Sequence, residues 1–159
     1  MELTGVNALR RRWVLAGSAL VTAVGIPSRV LAHGDSPHLE VWLSPDCGCC
    51  NQWVSHLDRD GFTVQVFEVG DPTVYRKRLG MPAQLGACHT ARSEGYVIEG
   101  HVPAREIRRL LRERPKALGL AVPDMPSGSP GMESGSEKDP YAVLLVEKDG
   151  RTSVYQSYR

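Results

Sequence analysis

Three things are in short supply in this 159-residue sequence, and each shortage closes off a class of function. Surplus charge is the first: 19 Lys+Arg stand against 18 Asp+Glu. Four of those basic residues (Arg10, Arg11, Arg12, Arg29) and one acid (Glu2) lie in residues 1–32, a segment that reads as removable. The remainder keeps 15 basic and 17 acidic residues and sits near −2. Phosphate backbones demand a concentrated basic face, so nucleic acid is excluded as a partner. Long apolar stretches are the second shortage. The run from Trp13 to Ile26 has 14 residues, whereas a bilayer-spanning helix needs about 20, so no stable membrane insertion is expected. The third is cysteine spaced for stapling. There are four cysteines, but Cys47, Cys49 and Cys50 fall within four residues. A Cys47–Cys50 bond closes almost no loop, and one long bridge to Cys88 leaves two thiols over. No internal repeat is present.

What the N-terminus does contain is an address. Arg10-Arg11-Arg12 precedes the apolar run, and Val30-Leu31-Ala32 offers the small residues of a cleavage site. Residues 1–32 are therefore expected to be a signal peptide and residues 33–159 a single exported, periplasmic domain. Arg11-Arg12 followed by Trp13-Val14-Leu15 resembles a twin-arginine signal. The ordinary secretory route with a basic leader fits as well.

Along the mature chain, Leu39 to Leu43 reads as a buried strand ending at Ser44-Pro45-Asp46. Trp53, Val54 and Leu57 then recur at helical spacing up to Asp60-Gly61, which puts Cys47 to Cys50 at a strand-to-helix turn. Phe62 to Val69 alternates as a second strand. A short helix follows, with Asp71 as cap, Pro72 as first residue and Gly80 as stop. Ala87 to Ala91 and Tyr96 to Glu99 form a hairpin around Ser93-Glu94-Gly95. Pro103 to Arg114 is a helix with Ile107, Leu110 and Leu111 on one face and Arg105, Arg108, Arg109 and Arg112 on the other, read as a solvated surface. A Pro/Gly/Ser loop, Pro123 to Pro140, is longer than ordinary connections, and residues 141–158 form a terminal hairpin. This order predicts an α/β, thioredoxin-like fold: a central mixed sheet with flanking helices, extended by the loop and hairpin. The crossover joining the first, parallel pair of strands is expected to be right-handed.

The helix dipole favours ionised sulfur at the turn, which both redox exchange and metal binding require. Cys47 and Cys50 alone make a C-x-x-C dithiol, the pair of a thiol–disulfide oxidoreductase. Cys49 disturbs that reading, because a third thiolate invites scrambling. Metal binding uses it, since bridging thiolates can share several ions that each accept two or three sulfurs. Soft donors select Cu(I), zinc or iron–sulfur clusters. Zinc prefers paired ligands from two loops and iron–sulfur clusters wider spacings, so copper(I) ranks first, with zinc or iron–sulfur behind.

The fold brings in further ligands. The loop before the third strand lies beside the first helix's N-terminus, so Cys88 and His89 should face the cluster. A thioredoxin-like fold carries a cis-proline there; Pro82 is too early, and Cys88 or its neighbour takes the position. His101, at the end of the hairpin strand, is a candidate ligand or a capping residue. Met125 and Met132 flank Gly128-Ser129-Pro130-Gly131 and could offer thioethers to copper(I) or anchor the loop. His56, six residues beyond Cys50, reads as surface. His33 and His38 lie in the mature tail, where a free His33 amine and ring could chelate Cu(II).

With those residues in view, the chain resembles the CopG-type periplasmic copper-resistance family. The likeness runs from Val41 to about Glu133. It rests on Cys47-Gly48-Cys49-Cys50 with Trp53, Gly80-Met81-Pro82, Cys88-His89-Thr90, the stretch Gly95 to Pro103, Gly119 to Pro123, and Gly128 to Glu133. One departure is visible: Asp124 stands where the family has glycine before Met125-Pro126. The resemblance implies a thioredoxin-like fold, a periplasmic setting and copper held as a thiolate cluster in copper tolerance. It leaves open storage, transfer to a periplasmic efflux or carrier protein, and Cu(I)/Cu(II) redox activity.

Overall fold

In the first strand, β1 (His38–Leu43), Leu39, Val41 and Leu43 are buried while Trp42 turns the other way. That alternation sets up a sheet covered on both faces. The computed structural model describes residues 36–133, 136 and 138–159, so the expected signal peptide and His33 lie outside the described residues. Beneath Leu39, Val41 and Leu43 lie α1 (Gly48–Arg59) and α3 (Ala104–Glu113), which contribute Trp53, Leu57, Ile107 and Leu110 to one core. Trp42 stacks on the opposite face against Phe67 of β2 (Thr63–Glu68) and Tyr75 of α2 (Thr73–Arg78). A second, smaller core of Met81, Leu85, Val97, Ala121 and Val146 is also present.

The seven strands among the described residues run in the order β2-β1-β3-β4-β5-β6-β7, with β3 (His89–Ser93), β4 (Tyr96–Gly100), β5 (Gly119–Val122), β6 (Tyr141–Val146) and β7 (Thr152–Tyr158). β1 is parallel to β2 and antiparallel to β3, with Leu43 opposite His89. β4 is antiparallel to β3 and parallel to β5. The end of β1, the start of β3 and the ends of β4 and β5 therefore share one edge of the sheet. The mixed sheet with flanking helices fits the thioredoxin-like α/β expectation. No helix among the described residues is long and apolar enough to cross a membrane.

Three local readings need correction or refinement. The expected order had no strand between the last helix and the long loop, yet Gly119–Val122 forms β5 and pairs with both β4 and β6. Four residues are too short to show a period, and every one of them is buried. Asp71 stands one residue further out than expected, since α2 begins at Thr73 with Pro72 as N-cap, but its Oδ1 still accepts from the Thr73 amide at 2.9 Å. His56 is not a surface residue: it is half-buried, and its Nε2 accepts the Ala104 amide at 3.1 Å, capping α3 where Pro103 brings no side-chain acceptor. The arginine face of α3 is largely occupied. Arg108 pairs with Asp60, Arg109 with Glu113, and Arg105 with Glu106, while Tyr155 and Tyr158 of β7 lie under Arg109 and Arg105.

Asp124 has φ +65°, in the left-handed region, and Met125 beside it has φ +49°. A non-glycine residue held there costs about 1–2 kcal/mol, least for Asp and Asn. Asp124→Gly should therefore keep or raise Tm, and Asp124→Val should lower it; equal melting of the two variants would show that the turn is not so constrained. The cap at His56 gives a pH prediction. Burial lowers its pKa from the usual 6.5, against the opposing pull of Asp60 and Glu133. Its contribution is complete above pH 6.5 and is lost as pH falls through the lower folded value, because only the neutral ring accepts the amide. Between about pH 7 and 5, Tm of His56→Gln, which keeps an acceptor, should fall less steeply than that of the unaltered chain; parallel slopes would rule the cap out as a source.

Candidate metal centre

α1 opens at the cysteines because Pro45 and Asp46 end β1 in a turn closed by the Cys47 amide on the Ser44 carbonyl at 3.0 Å. Cys47 is the N-cap, no side chain among the described residues caps the helix, and its first turn carries no acidic residue. The free amides and positive dipole end thus face the sulfur atoms without competition. Cys47 and Cys50 are joined by a disulfide, while Cys49 and Cys88 are free thiols. Cys49 Sγ lies 3.6 Å from Cys47 Sγ and 3.9 Å from Cys88 Sγ. All four sulfurs lie within 4.8 Å of one another.

Cys88 is also the corner of a second group. His89 Nδ1 is 3.4 Å and His101 Nε2 3.1 Å from its sulfur, and the three donor atoms again lie within 4.8 Å of one another. The hydrogen bonding of His101 fixes its tautomer. Its Nδ1 is 2.8 Å from the Pro130 carbonyl, which can only accept, so Nδ1 carries the proton and the Nε2 lone pair faces Cys88. Such a carbonyl behind the ring is the usual support of a metal-ligating histidine. His89 is wholly buried against Trp53, ring centroids 4.3 Å apart, with the Gly100 backbone near its ring, and among the described residues its Nε2 finds no partner of full hydrogen-bond geometry. A buried polar atom left so costs about 1–3 kcal/mol.

The groups around Cys88 are held neutral. Burial, reinforced by Cys49, pushes the Cys88 thiol up to about 12. Burial takes His89 down to about 3, with His101 adding to the effect, and lowers His101 against the pull of the Pro130 carbonyl and Glu133. Neutral imidazole is the ligating form, whereas the Cys88 proton must leave when a metal binds. The expectation of ionised sulfur at the helix mouth therefore does not extend to Cys88, which sits across the sheet edge from the dipole.

The long loop covers the cluster. Gly131 lies directly on the first turn of α1, where a Cβ would come within 2.8 Å of the Cys49 carbonyl and 2.7 Å of the Trp53 amide. Met132 follows it, half-buried, its amide bonded to the Ser129 carbonyl at 2.8 Å. Met125 is exposed, at the left-handed turn after β5. The structure thus gathers Cys47, Cys49, Cys50, Cys88, His89 and His101, lays the Met132 segment beside them and leaves the Met125 side chain on the surface. His38 is exposed on β1. Sequence reasoning placed Trp53 in the helical pattern and the family motif but gave it no part in the site; its Nε1 donates to the Val102 carbonyl at 2.8 Å beside His101. It passed over Glu99 and Arg76, a buried ion pair behind Cys88. The available signal was Glu99 two residues from Val97 on a strand, and so on an apolar face.

Comparison with known proteins agrees with this geometry. Residues 85–132 match a family model described as a protein of unknown function, DUF411. A solved structure of a copper resistance protein CopG, form 2, is 42% identical, with a TM-score of 0.75, covering 78% of this chain and 99% of that one. Form 1 is 43% identical, with a TM-score of 0.72, covering 76% and 96%. No curated protein matches significantly.

The raised Cys88 thiol sets a reactivity. With Cys47 and Cys50 bonded, iodoacetamide at about pH 8.5 should alkylate Cys88 at least about tenfold more slowly than a free cysteine, and the rate should climb with pH well beyond 9. A Cys88 rate that levels off near pH 9 would contradict the burial argument.

Proposed function

The chain belongs to the CopG family of copper resistance proteins and has a copper-related role, and from that premise we propose that it holds copper(I) in a cysteine-thiolate cluster. One observation carries the reading: four sulfurs from two distant segments within 4.8 Å of one another at a helix N-terminus. Soft, closely spaced thiolates suit copper(I), which accepts two or three sulfurs and tolerates bridging. Reduction of the Cys47–Cys50 bond completes the set. Cys49 lies between Cys47 and Cys88, and Cys88 between Cys49 and the histidines, so both would hold the ion together with the reduced pair. His101, and His89 behind Cys88, supply neutral nitrogen donors, and Met132 supplies a thioether from the covering loop, while Met125, on the surface, takes no part. The helix N-terminus offsets the negative charge that accumulates as thiols lose protons.

In this reading residues 1–32 direct the chain to the periplasm, and the protein contributes to copper tolerance by sequestering the ion, with Cu(I)/Cu(II) conversion as an added capacity. A second reading is favoured by the Cys47–Cys50 bond itself: a thiol–disulfide oxidoreductase, to which Cys49 and Cys88 are dispensable. Handing the metal to an efflux or carrier partner is a third. The docking surface it would use, Arg108, Arg109 and Arg112 on α3, lies at the surface but is partly engaged within the chain, since Arg108 pairs with Asp60 and Arg109 with Glu113.

Anaerobic loading of reduced protein with copper(I), followed by metal analysis, tests the first reading. The unaltered chain should bind more than one copper per molecule, and Cys49→Ser should lose at least half of it. Equal copper in both would end the cluster reading. Disulfide-reductase activity that survives in Cys49→Ser would favour the second. Protein recovered from a periplasmic fraction should begin at His33; an intact N-terminus there would refute cleavage after Ala32.

A further inference from the structure

Glu99 is a fully buried carboxylate on β4 that ligates nothing in the proposed function. Its Oε1 accepts from Arg76 Nε at 2.7 Å and from the Ala87 amide at 2.8 Å, and its Oε2 accepts from the Thr90 hydroxyl at 2.7 Å. Arg76 reaches on through Nη2 to the Ala87 carbonyl at 2.5 Å. One ion pair thus holds Ala87 by both its amide and its carbonyl, and the next residue is Cys88. The room for this arrangement is provided by Gly86, where a Cβ would collide with the Arg76 guanidinium.

Such a pair is not explained by stability. Withdrawing two charges from water costs several kcal/mol, and apolar replacements of buried pairs are often neutral or better. What this pair does is geometric. Cys88 precedes β3, outside the ladder that pairs His89 with Leu43, so the register of the sheet leaves it free. The fork of Arg76 and the carboxylate of Glu99 supply the missing restraint from the opposite face.

We propose that Glu99 and Arg76 are positioning residues for the fourth sulfur, fixing the Ala87 backbone so that Cys88 Sγ meets Cys49 on one side and His101 on the other. The purpose rests on the copper reading; the geometry does not. Substituting Arg76→Met, Thr90→Val and Glu99→Leu together removes both charges and strands neither, so the variant should still fold cooperatively, with Tm lowered only by the loss of the two Ala87 backbone hydrogen bonds. Arg76→Lys is the second variant, keeping the charge while losing the fork. Glu99→Gln is the conservative one, retaining an acceptor for the Ala87 amide.

The first measurement needs no metal. In the full chain with Cys47 and Cys50 bonded, diamide takes two electrons and two protons from Cys49 and Cys88, and mass spectrometry follows the new disulfide. Bond formation should be about tenfold slower in the triple variant, slower in Arg76→Lys, and near the unaltered rate in Glu99→Gln. The second is competition for copper(I) against a chelator, where apparent affinity should fall by about 10–100-fold with loss of the Cu(I)–thiolate emission, the scale seen when groups behind a ligand are removed. Unchanged bond formation in folded triple and Arg76→Lys variants would overturn the proposal. If the unaltered chain binds no copper(I), the copper reading fails alone, and the metal-free rates still decide whether Glu99 and Arg76 position Cys88.

Discussion

The pairing of Leu43 with His89 across β1 and β3 is the constraint on which the cysteine end of the molecule depends. Because the two strands are antiparallel, β1 leaves the sheet where β3 enters it. The turn carrying Cys47, Cys49 and Cys50 therefore emerges beside Cys88, although 39 residues separate Cys49 from Cys88. A slip of one residue would turn His89 to the other face and away from Trp53. The hydrophobic face of β1 opposes that slip, since Leu39, Val41 and Leu43 would leave the core while Glu40 entered it and Trp42 lost its stack on Phe67 and Tyr75. The same core that stabilises the sheet therefore aligns the site.

Electrostatically the site is divided. At the mouth of α1, free amides and a first turn without acidic side chains favour negative charge. Across the edge, burial keeps Cys88, His89 and His101 neutral. In the copper reading proposed above, a cation held between them would meet lone pairs already aimed by the Pro130 carbonyl and by the packing of Trp53, at the cost of releasing a thiol proton. That division suits a soft ion of low charge better than a hard one.

Much of this was legible in the sequence. The alternation of β1, the helical spacing of Trp53 and Leu57, and the turn residues around Glu94-Gly95 placed those elements to within a residue or two, and topology alone joined Cys88 to the cluster. β5 escaped because four buried residues show neither alternation nor helical spacing. His56 escaped because its partner is a backbone amide in α3, and no side-chain pattern records that. Glu99 was harder still: a carboxylate in a strand reads as solvent-facing until Arg76, 23 residues earlier, is known to reach it. What sequence pattern conveys is which faces are apolar; it conveys poorly the few polar groups that are buried because they hold one another.

The Pro130–Gly131 segment has a consequence for how the molecule comes to exist. It supplies the carbonyl behind His101, 29 residues earlier, and it rests on the first turn of α1, laid down long before. Contacts of such wide sequence separation form late, since the chain between them must first be ordered. The centre is therefore not a local motif that matures as the cysteines are synthesised. It closes only when the polypeptide has been made past residue 131 and has folded back over its own beginning. A truncated or half-folded chain carries the same four thiols without the centre.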